Sequence, residues 1–300
     1  MRARLLRDAE GSISALLCPA LARVLQPRQW RGVRWLYAAA MRGGGVLGDD
    51  PGLGKTLQAI AVAEALVRGQ HLLLQPRPPP PGPRRLIPLS LPPPPLRSLL
   101  QVHSGRACRV LVVAPANLVA NWVAELRRWL GHTPHALAVQ AVDGSSYMRA
   151  TAQLCRFAAT RPPDHAVAIV SYEMLHTHGD ALRVGAGGVD LLVADEAHRL
   201  RREGGGRAAA VAAMPAVHRI LLTATPLANN LPELYSLATL ARPGALGTRD
   251  EFRDDFERPI LAGWRRRWAC SSPAGRRLRH RHHASVRGPA RGGLATPRAS

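Results

Sequence analysis

Short runs of apolar residues without polar alternation predict buried β-strands along the chain. They cover residues 46–48, 109–114, 136–142, 166–171, 189–194 and 218–222. Apolar residues between these runs recur at helical spacing, and the clearest of the helices predicted in this way cover residues 29–40, 56–68 and 117–130. Unalternated apolar strands that alternate with helices are typical of a parallel sheet covered on both faces. We therefore predict an α/β fold in which ligands bind at the carboxyl ends of the strands.

The third predicted helix shows the pattern most clearly. Leu118, Trp122 and Leu126 recur on one face, followed by Trp129 or Leu130, so this face is expected to pack inward. Asn117 precedes the apolar series and is the predicted N-cap, because a side-chain amide oxygen can accept a hydrogen bond from the free amides of the first turn.

Three segments fall outside this regular pattern. Residues 1–24 have weak helical character and are interpreted as a leader. Residues 76–97 form an insertion, because 11 of the 26 prolines lie between positions 76 and 95 and cannot join a helix or sheet. A surface insertion with partial polyproline II structure is favoured over a docking segment for a proline-binding domain. Residues 262–300 have no periodicity and are predicted to be a disordered basic tail.

The chain is strongly basic, with a formal net charge of +21 and a sequence pI near 11.6. The tail from Arg265 to Ser300 contributes ten arginines and no acidic residue, and the remainder is also basic. This imbalance favours polyanions such as nucleic acid. No apolar run reaches the length of a membrane-spanning helix, so a membrane is not among the predicted partners.

A phosphate-binding loop is predicted between the first strand of the sheet and the helix that follows it. Its sequence is Asp49-Asp50-Pro51-Gly52-Leu53-Gly54-Lys55-Thr56. Lys55 is the only lysine in the chain, and a compact ammonium group suits a phosphate cradle. The backbone amides would hold the β-phosphate, Lys55 would reach the β- and γ-phosphates, and Thr56 would ligate Mg²⁺. An ordinary glycine-rich turn is the alternative, since the strict motif has Gly at position 49.

Polar residues end two further strands. Asp195 could hold Mg²⁺, and Glu196 could orient and deprotonate the attacking water. Thr223 and Thr225 could contact the segment from Asp195 to His198 and couple the nucleotide to movement. Taken alone, the first pair could be a solvated turn, and the second could be a strand cap.

With these motifs in this order, the chain resembles the SWI/SNF-type (sucrose-non-fermenting) ATPases of helicase superfamily two, nearest to the recombination- and Cockayne-type repair translocases. The resemblance runs from about Leu25 to Ile260. It implies a RecA-like P-loop domain, the first lobe of two, spanning residues 25–261. It also implies a DEAH-type acidic box, with His198 joining Lys55, Asp195 and Glu196 in the catalytic set.

The resemblance also assigns the residues that touch ligands. It makes Gln29 the adenine contact and places the nucleotide against a set of loop residues: Asp50, Gly52, Leu53, Gly54, Lys55 and Thr56. Two further matching segments face the tracked DNA strand in the family, and they contain Pro115, Asn121, Trp122, Ser171 and Tyr172.

The implied activity is ATP-dependent translocation on double-stranded DNA, in chromatin remodelling or DNA repair, with ATP and Mg²⁺ as cofactors and nucleosomes as a further partner. The implied location is the nucleus for a eukaryotic protein and the cytoplasm otherwise. Nothing after Leu261 resembles the family's second lobe with its arginine fingers, so low activity is expected of the chain alone. Two alternatives remain open: a non-catalytic module that binds ATP or DNA, and a fragment of an RNA helicase or restriction-type motor.

Overall fold

The computed structural model describes residues 4–7, 14–68, 109–131, 137–161, 164–183, 188–200, 205–225 and 231–263. The predicted insertion at 76–97 lies outside the described residues, as does the predicted tail beyond residue 263. Clustering of contacts divides the chain into Met1–Leu246 and Gly247–Ser300. The predicted domain limit at residue 261 stays a prediction.

The first unit is built on a six-stranded sheet in which every neighbouring pair of strands is parallel. The strands are β3 (Gly44–Leu47), β4 (Arg109–Ala114), β5 (Ala138–Ala141), β6 (Ala166–Ser171), β7 (Val189–Ala194) and β8 (Ala216–Leu222). Their order across the sheet is β3-β8-β7-β4-β6-β5. The predicted α/β fold with a parallel sheet flanked by helices is confirmed.

Helices cover both faces of this sheet. They span Pro27–Met41, Lys55–Arg68, Val119–Leu130, Tyr147–Ala159, Tyr172–His178, Asp180–Arg183, Gly206–Ala213 and Leu231–Ala241. Short 3₁₀ turns lie at Ala116–Leu118 and Ala197–Leu200. None of the helices in the described part of the chain is long and apolar enough to cross a membrane.

The strands lack polar alternation because both of their faces are buried. Along β4, Val110 and Val112 belong to one hydrophobic cluster, and Leu111 and Val113 belong to the other. Successive side chains of a strand point to opposite faces, so a strand between two helical layers has apolar residues at consecutive positions.

The described residues of the predicted leader pack into the hydrophobic core of the first unit. Instead of weak helical structure throughout, the leader contains β1 (Arg4–Arg7) and β2 (Ser14–Leu17), which pair antiparallel, followed by a helix at Pro19–Val24. Leu6, Leu17 and Leu21 are fully buried in the same hydrophobic cluster as the helices Pro27–Met41 and Lys55–Arg68. Segments of four residues are too short for the spacing of apolar residues to separate a strand from a helix, and here the pairing between the two segments makes them strands.

The helix predicted at 117–130 begins at Val119. Trp122, Leu126 and Leu130 are buried, as the helical spacing predicted. Asn117 is not the N-cap, because it lies exposed in the 3₁₀ turn that precedes the helix, and no side chain caps the first turn.

The described part of the second unit is helical. The helix Arg249–Phe252 continues through a π-helical turn at Arg253–Glu257. Thr248 and Glu251 form a reciprocal capping box at its start.

Candidate functional site

The carboxyl ends of four parallel strands bring the predicted motifs to one edge of the sheet. β3 leads into the phosphate loop, β8 into Thr223, β7 into Asp195 and β4 into Pro115. Backbone hydrogen bonds join neighbouring ends, since the Thr223 amide donates to Leu47 O at 3.0 Å and the Asp195 amide donates to Val113 O at 2.8 Å. Residues more than a hundred positions apart therefore meet at one edge.

The phosphate loop is shaped by two glycines with positive φ, Gly52 at 78° and Gly54 at 79°. A Cβ on Gly54 would lie 2.3 Å from Gln29 Nε2, whereas one on Gly52 would meet nothing within 4 Å. The loop therefore needs glycine at both positions for backbone conformation, and at position 54 also for space.

Lys55 begins the helix that leaves the loop, and its side chain folds back over the loop. Nζ donates to Asp49 O at 2.8 Å and to Asp50 O at 3.0 Å. No carboxylate among the described residues lies within ion-pair distance of this ammonium group. Thr56 lies partly buried in the first turn of the same helix. The arrangement presents a cation whose present acceptors are only backbone carbonyls, at a helix N-terminus that favours anions.

Gln29 joins the loop to the preceding helix. Its Oε1 accepts from the Gln26 amide at 3.0 Å in a capping box, and its Nε2 donates to Leu53 O at 3.2 Å. Gln29 thus lies beside the loop that is predicted to bind the nucleotide. Its role as the adenine contact stays a prediction.

The sequence did not predict a second side-chain hydrogen bond that supports the loop. Gln58, 1 % exposed, donates from Nε2 to Asp49 Oδ2 at 3.0 Å. Asp49 occupies the position where the strict motif has Gly, so this carboxylate anchors the loop where a glycine could not. This hydrogen bond requires glycine at position 32, because a Cβ there would lie 1.8 Å from Gln58 Oε1. A lone Gln in an apolar helix was the only signal in the sequence.

Asp195 is held on three sides. Its Oδ2 accepts from Trp122 Nε1 at 2.8 Å, its Oδ1 accepts from the Glu196 amide at 2.9 Å, and Tyr172 OH donates to its backbone carbonyl. Burial raises the pKa of the Asp195 carboxyl, and the bonds from Trp122 and Glu196, with the positive charge of Lys55, offset only part of that rise. The arrangement fixes the direction of a buried carboxylate that a cation would stabilise.

Trp122 and Tyr172 were predicted to contact DNA; their side chains are buried in this structure, and a DNA contact at either residue stays a prediction. Each is 1 % exposed, because each packs into a hydrophobic cluster and turns its polar atom toward Asp195. Burial also raises the pKa of the Tyr172 hydroxyl, followed by the charge of Asp195, so it stays a neutral donor. Both residues donate hydrogen bonds to Asp195.

The other three predicted DNA contacts differ in exposure. Pro115 is buried, Ser171 is partly buried and Asn121 is exposed. Ser171 Oγ accepts from the Met174 amide at 3.0 Å and so caps the next helix. Of the five, Asn121 has the most accessible side chain, and a DNA contact at Asn121 or Ser171 stays a prediction.

Glu196 has a φ of +50°, and no other described residue except glycine has a positive φ. Its Oε2 lies 3.1 Å from His198 Nδ1, but neither atom makes an aligned hydrogen bond within the part of the chain that the structure describes. A strained backbone and an unsatisfied carboxylate oxygen are both costly, and they are typical of functional sites. The three residues predicted to form the acidic box, Asp195, Glu196 and His198, lie close together at the carboxyl end of β7.

Thr223 is fully buried, and its Oγ1 accepts from the Thr225 amide at 3.2 Å. This is the geometry of a strand cap. Thr225 itself is exposed. The residues that follow, 226–230, lie outside the described residues, and coupling through Thr223 and Thr225 stays a prediction.

Comparison with known proteins places this site in context. Residues 28–283 match the family described as the SNF2-related domain. The DNA repair protein rhp54 of Schizosaccharomyces pombe is 32% identical over 84% of this chain and 27% of its own length. A DNA repair and recombination protein RAD54-like of Homo sapiens is 31% identical over 89% of this chain and 32% of its own length.

A solved structure shares the fold. The Sulfolobus solfataricus SWI2/SNF2 ATPase core in complex with dsDNA aligns with a TM-score of 0.53 and 23% sequence identity, covering 85% of this chain and 42% of that chain. In sequence, the chain spans less than a third of the length of the rhp54 and RAD54-like relatives, 27% and 32%.

Proposed function

Because this chain belongs to the family of SNF2-related domains, we propose that it is the nucleotide-binding lobe of a motor that couples ATP hydrolysis to movement on double-stranded DNA. The observation that carries the proposal is the convergence at one sheet edge of the phosphate loop, Thr223 and the buried Asp195. Strand β8 lies between β3 and β7, so Thr223 stands between the loop and the acidic box.

The residues present fit ATP and Mg²⁺. Lys55 can exchange its two carbonyl acceptors for phosphate oxygens, because no carboxylate in the described residues holds it. Asp195 offers a buried carboxylate, and Thr56 offers a hydroxyl in the first helical turn. Hard oxygen donors of this kind suit Mg²⁺, which neutralises charge on the phosphates when bound.

In the proposed hydrolysis, Glu196 orients the attacking water and takes its proton on a carboxylate oxygen. His198 Nδ1 lies 3.1 Å from Oε2, close enough to pair with that carboxylate when the imidazole is protonated. Trp122 and Tyr172 hold Asp195 in a fixed direction, so little reorganisation is needed when the nucleotide binds. Thr223 couples the loop to the acidic box, and its backbone N–H donates a hydrogen bond to Leu47 O in the strand that leads into the loop.

The proposed partner is double-stranded DNA, with nucleosomes as a further one. It is supported by the basic charge of the chain and by the names of its relatives, which are DNA repair and recombination proteins. Asn121 and Ser171 are the proposed contacts that remain accessible. Repair fits these relatives more directly than chromatin remodelling, and a nuclear location is proposed for a eukaryotic protein.

The test is ATP turnover by the purified chain, with and without duplex DNA, beside three variants. Lys55→Ala should abolish nucleotide binding, Glu196→Gln should bind ATP without turning it over, and the exposed-surface control Arg156→Ala should behave as wild type. Turnover that is unchanged in Glu196→Gln would refute the assignment of the base. Nucleotide binding that is unchanged in Lys55→Ala would refute the site.

Hydrolysis stimulated by RNA and not by duplex DNA would favour the RNA-helicase alternative. DNA binding with strong salt dependence and no effect of nucleotide would favour the non-catalytic alternative.

A further inference from the structure

The helix Pro27–Met41 carries a basic face that the nucleotide site does not use. Arg28, Arg31, Arg34, Trp35 and the C-cap residue Arg42 are all exposed, and we call them the arginine stripe. At about 100° per residue they fall within an arc of about 120°. The stripe lies opposite the helix face that buries Val33, Leu36, Tyr37 and Ala40.

The stability of the helix does not account for these arginines. The helix contains no acidic residue, and Arg28 in its first turn opposes the helix dipole. Arg28, Arg31 and Arg34 follow one another at spacings of three, where like charges repel. Only Arg42, at the C-terminal end, is favoured by the dipole. None of the four forms an ion pair with another residue in the described part of the chain.

Trp35 adds an aromatic surface in the middle of the stripe. Its ring packs over Gly45 of β3, an edge strand, where a Cβ would lie 3.3 Å from the indole Cη2. The residue is nevertheless 49% exposed, among the larger exposures of apolar residues in the described chain. A half-exposed indole flanked by cations is the combination by which proteins hold unpaired bases: arginines follow the phosphates, and the aromatic ring stacks on a base.

We propose that the arginine stripe binds single-stranded DNA, with phosphates on the arginines and an unpaired base on Trp35. From Arg28 to Arg42 the helix rises about 21 Å, and this is the length over which the strand's phosphates would follow the arginines. A duplex would satisfy the arginines but offers no free base face to the indole. This function goes beyond the proposed motor activity, since it requires neither nucleotide nor the acidic box.

The test measures binding of a fluorescent 12-nucleotide oligodeoxythymidine to the full chain without ATP, by anisotropy over a series of salt concentrations. Replacing Arg28, Arg31 and Arg34 by Ala should weaken binding at least tenfold and lower the salt slope by about 2. The matched control replaces Arg127, Arg128 and Arg156 by Ala, which removes the same charge from exposed positions on other helices. Equal losses in the two triple variants would show a general charge effect and overturn the proposal.

Trp35→Ala separates single strands from duplex. It should weaken binding of the oligodeoxythymidine about 5- to 150-fold and leave binding of a 12-base-pair duplex unchanged. The single strand should also quench part of the tryptophan emission, and Trp35→Phe should lose this quenching while Trp129→Phe keeps it. Equal effects on single strand and duplex, or none on either, would overturn the assignment to single strands.

Thermal unfolding of the arginine and tryptophan variants checks that each of them is folded. Lys55→Ala should bind the single strand as wild type does, so a failure of the nucleotide site and a failure of the stripe give different results. Loss of single-strand binding in Lys55→Ala would contradict the independence of the two sites.

Discussion

The bond between Trp122 and Asp195 makes a sharp test of how the acidic box is built. Trp122 is 1 % exposed and Asp195 is 7 % exposed, and the indole N–H donates to the carboxylate at 2.8 Å. Trp122→Phe keeps an aromatic ring in the core and removes only the donor and the larger ring volume.

The expected loss follows from the strength of that bond. A buried hydrogen bond to a charged group contributes about 1.5–3 kcal/mol, and 1.4 kcal/mol corresponds to a factor of ten in binding. The indole bond is one of the interactions that lower the pKa of Asp195 against the effect of burial, so its loss raises that pKa further. Because Mg²⁺ needs the ionised carboxylate, we expect Mg²⁺-dependent nucleotide binding to weaken about tenfold or more, most strongly at low pH.

The assay is titration of the chain with a fluorescent ATP analogue, with Mg²⁺ and with EDTA, at several pH values. Trp129→Phe is the matched control, since its indole donates to Glu125 Oε2 at the same 2.8 Å but away from the acidic box. Thermal unfolding of both variants separates lost packing from lost binding. If Trp122→Phe lowered the melting temperature but left the pH dependence of Mg²⁺-dependent binding unchanged, the proposed role of the indole would be refuted.

Three further predictions follow from the same geometry. Gly54→Ala should lower stability and nucleotide affinity more than Gly52→Ala does. Both substitutions place a Cβ on a left-handed backbone conformation at a cost of about 1–2 kcal/mol, but only a Cβ at position 54 displaces Gln29. Equal losses in thermal melting and nucleotide titration would contradict this prediction. Asp190→Ala should destabilise the chain by about 3–5 kcal/mol, because it removes the carboxylate that lies 3.2 Å from the buried Arg109 guanidinium. Denaturant unfolding measures this loss, and a change below about 1 kcal/mol would argue against a strong buried pair. The pKa of Asp195 is raised above its ordinary 3.8, so the folded chain binds this proton more tightly than the unfolded chain does. The stability that the proton contributes should therefore be lost as pH rises from 3.8 through the raised pKa. Asp195→Asn should remove this pH dependence of stability, and a pH dependence that persists in the variant would have to come from another group.

Local sequence pattern was sufficient for the central sheet. The strands at 109–114, 166–171 and 189–194 were predicted with the bounds that the structure shows. Because both faces of such a strand are buried, most of its consecutive residues are apolar, and the pattern is therefore an almost continuous apolar run. The phosphate loop was equally visible, because glycines and a lysine between a strand and a helix are contiguous in the chain.

Tertiary structure decided what each residue contacts. The spacing of Trp122 showed that it faces inward, but only folding brings its indole to Asp195, 73 positions away. Tyr172 and Gln58 likewise have polar atoms whose partners the pattern does not specify. For this reason the sequence did not predict the hydrogen bonds from Trp122 and Tyr172 to Asp195, or the hydrogen bond from Gln58 to Asp49.

The difference between local pattern and tertiary contacts also explains why strands were not predicted in the first 24 residues. Their apolar positions indicate burial, but runs of four residues carry too few repeats to separate period 2 from period 3.6. Pairing of Arg4–Arg7 with Ser14–Leu17, and packing of both against later helices, selected strands. The sequence by itself thus determined which positions are buried and where the chemistry of the loop lies, because both are written locally. Strand order, side-chain partners and the acidic box's supports depend on contacts between distant segments, which exist only once the chain has folded.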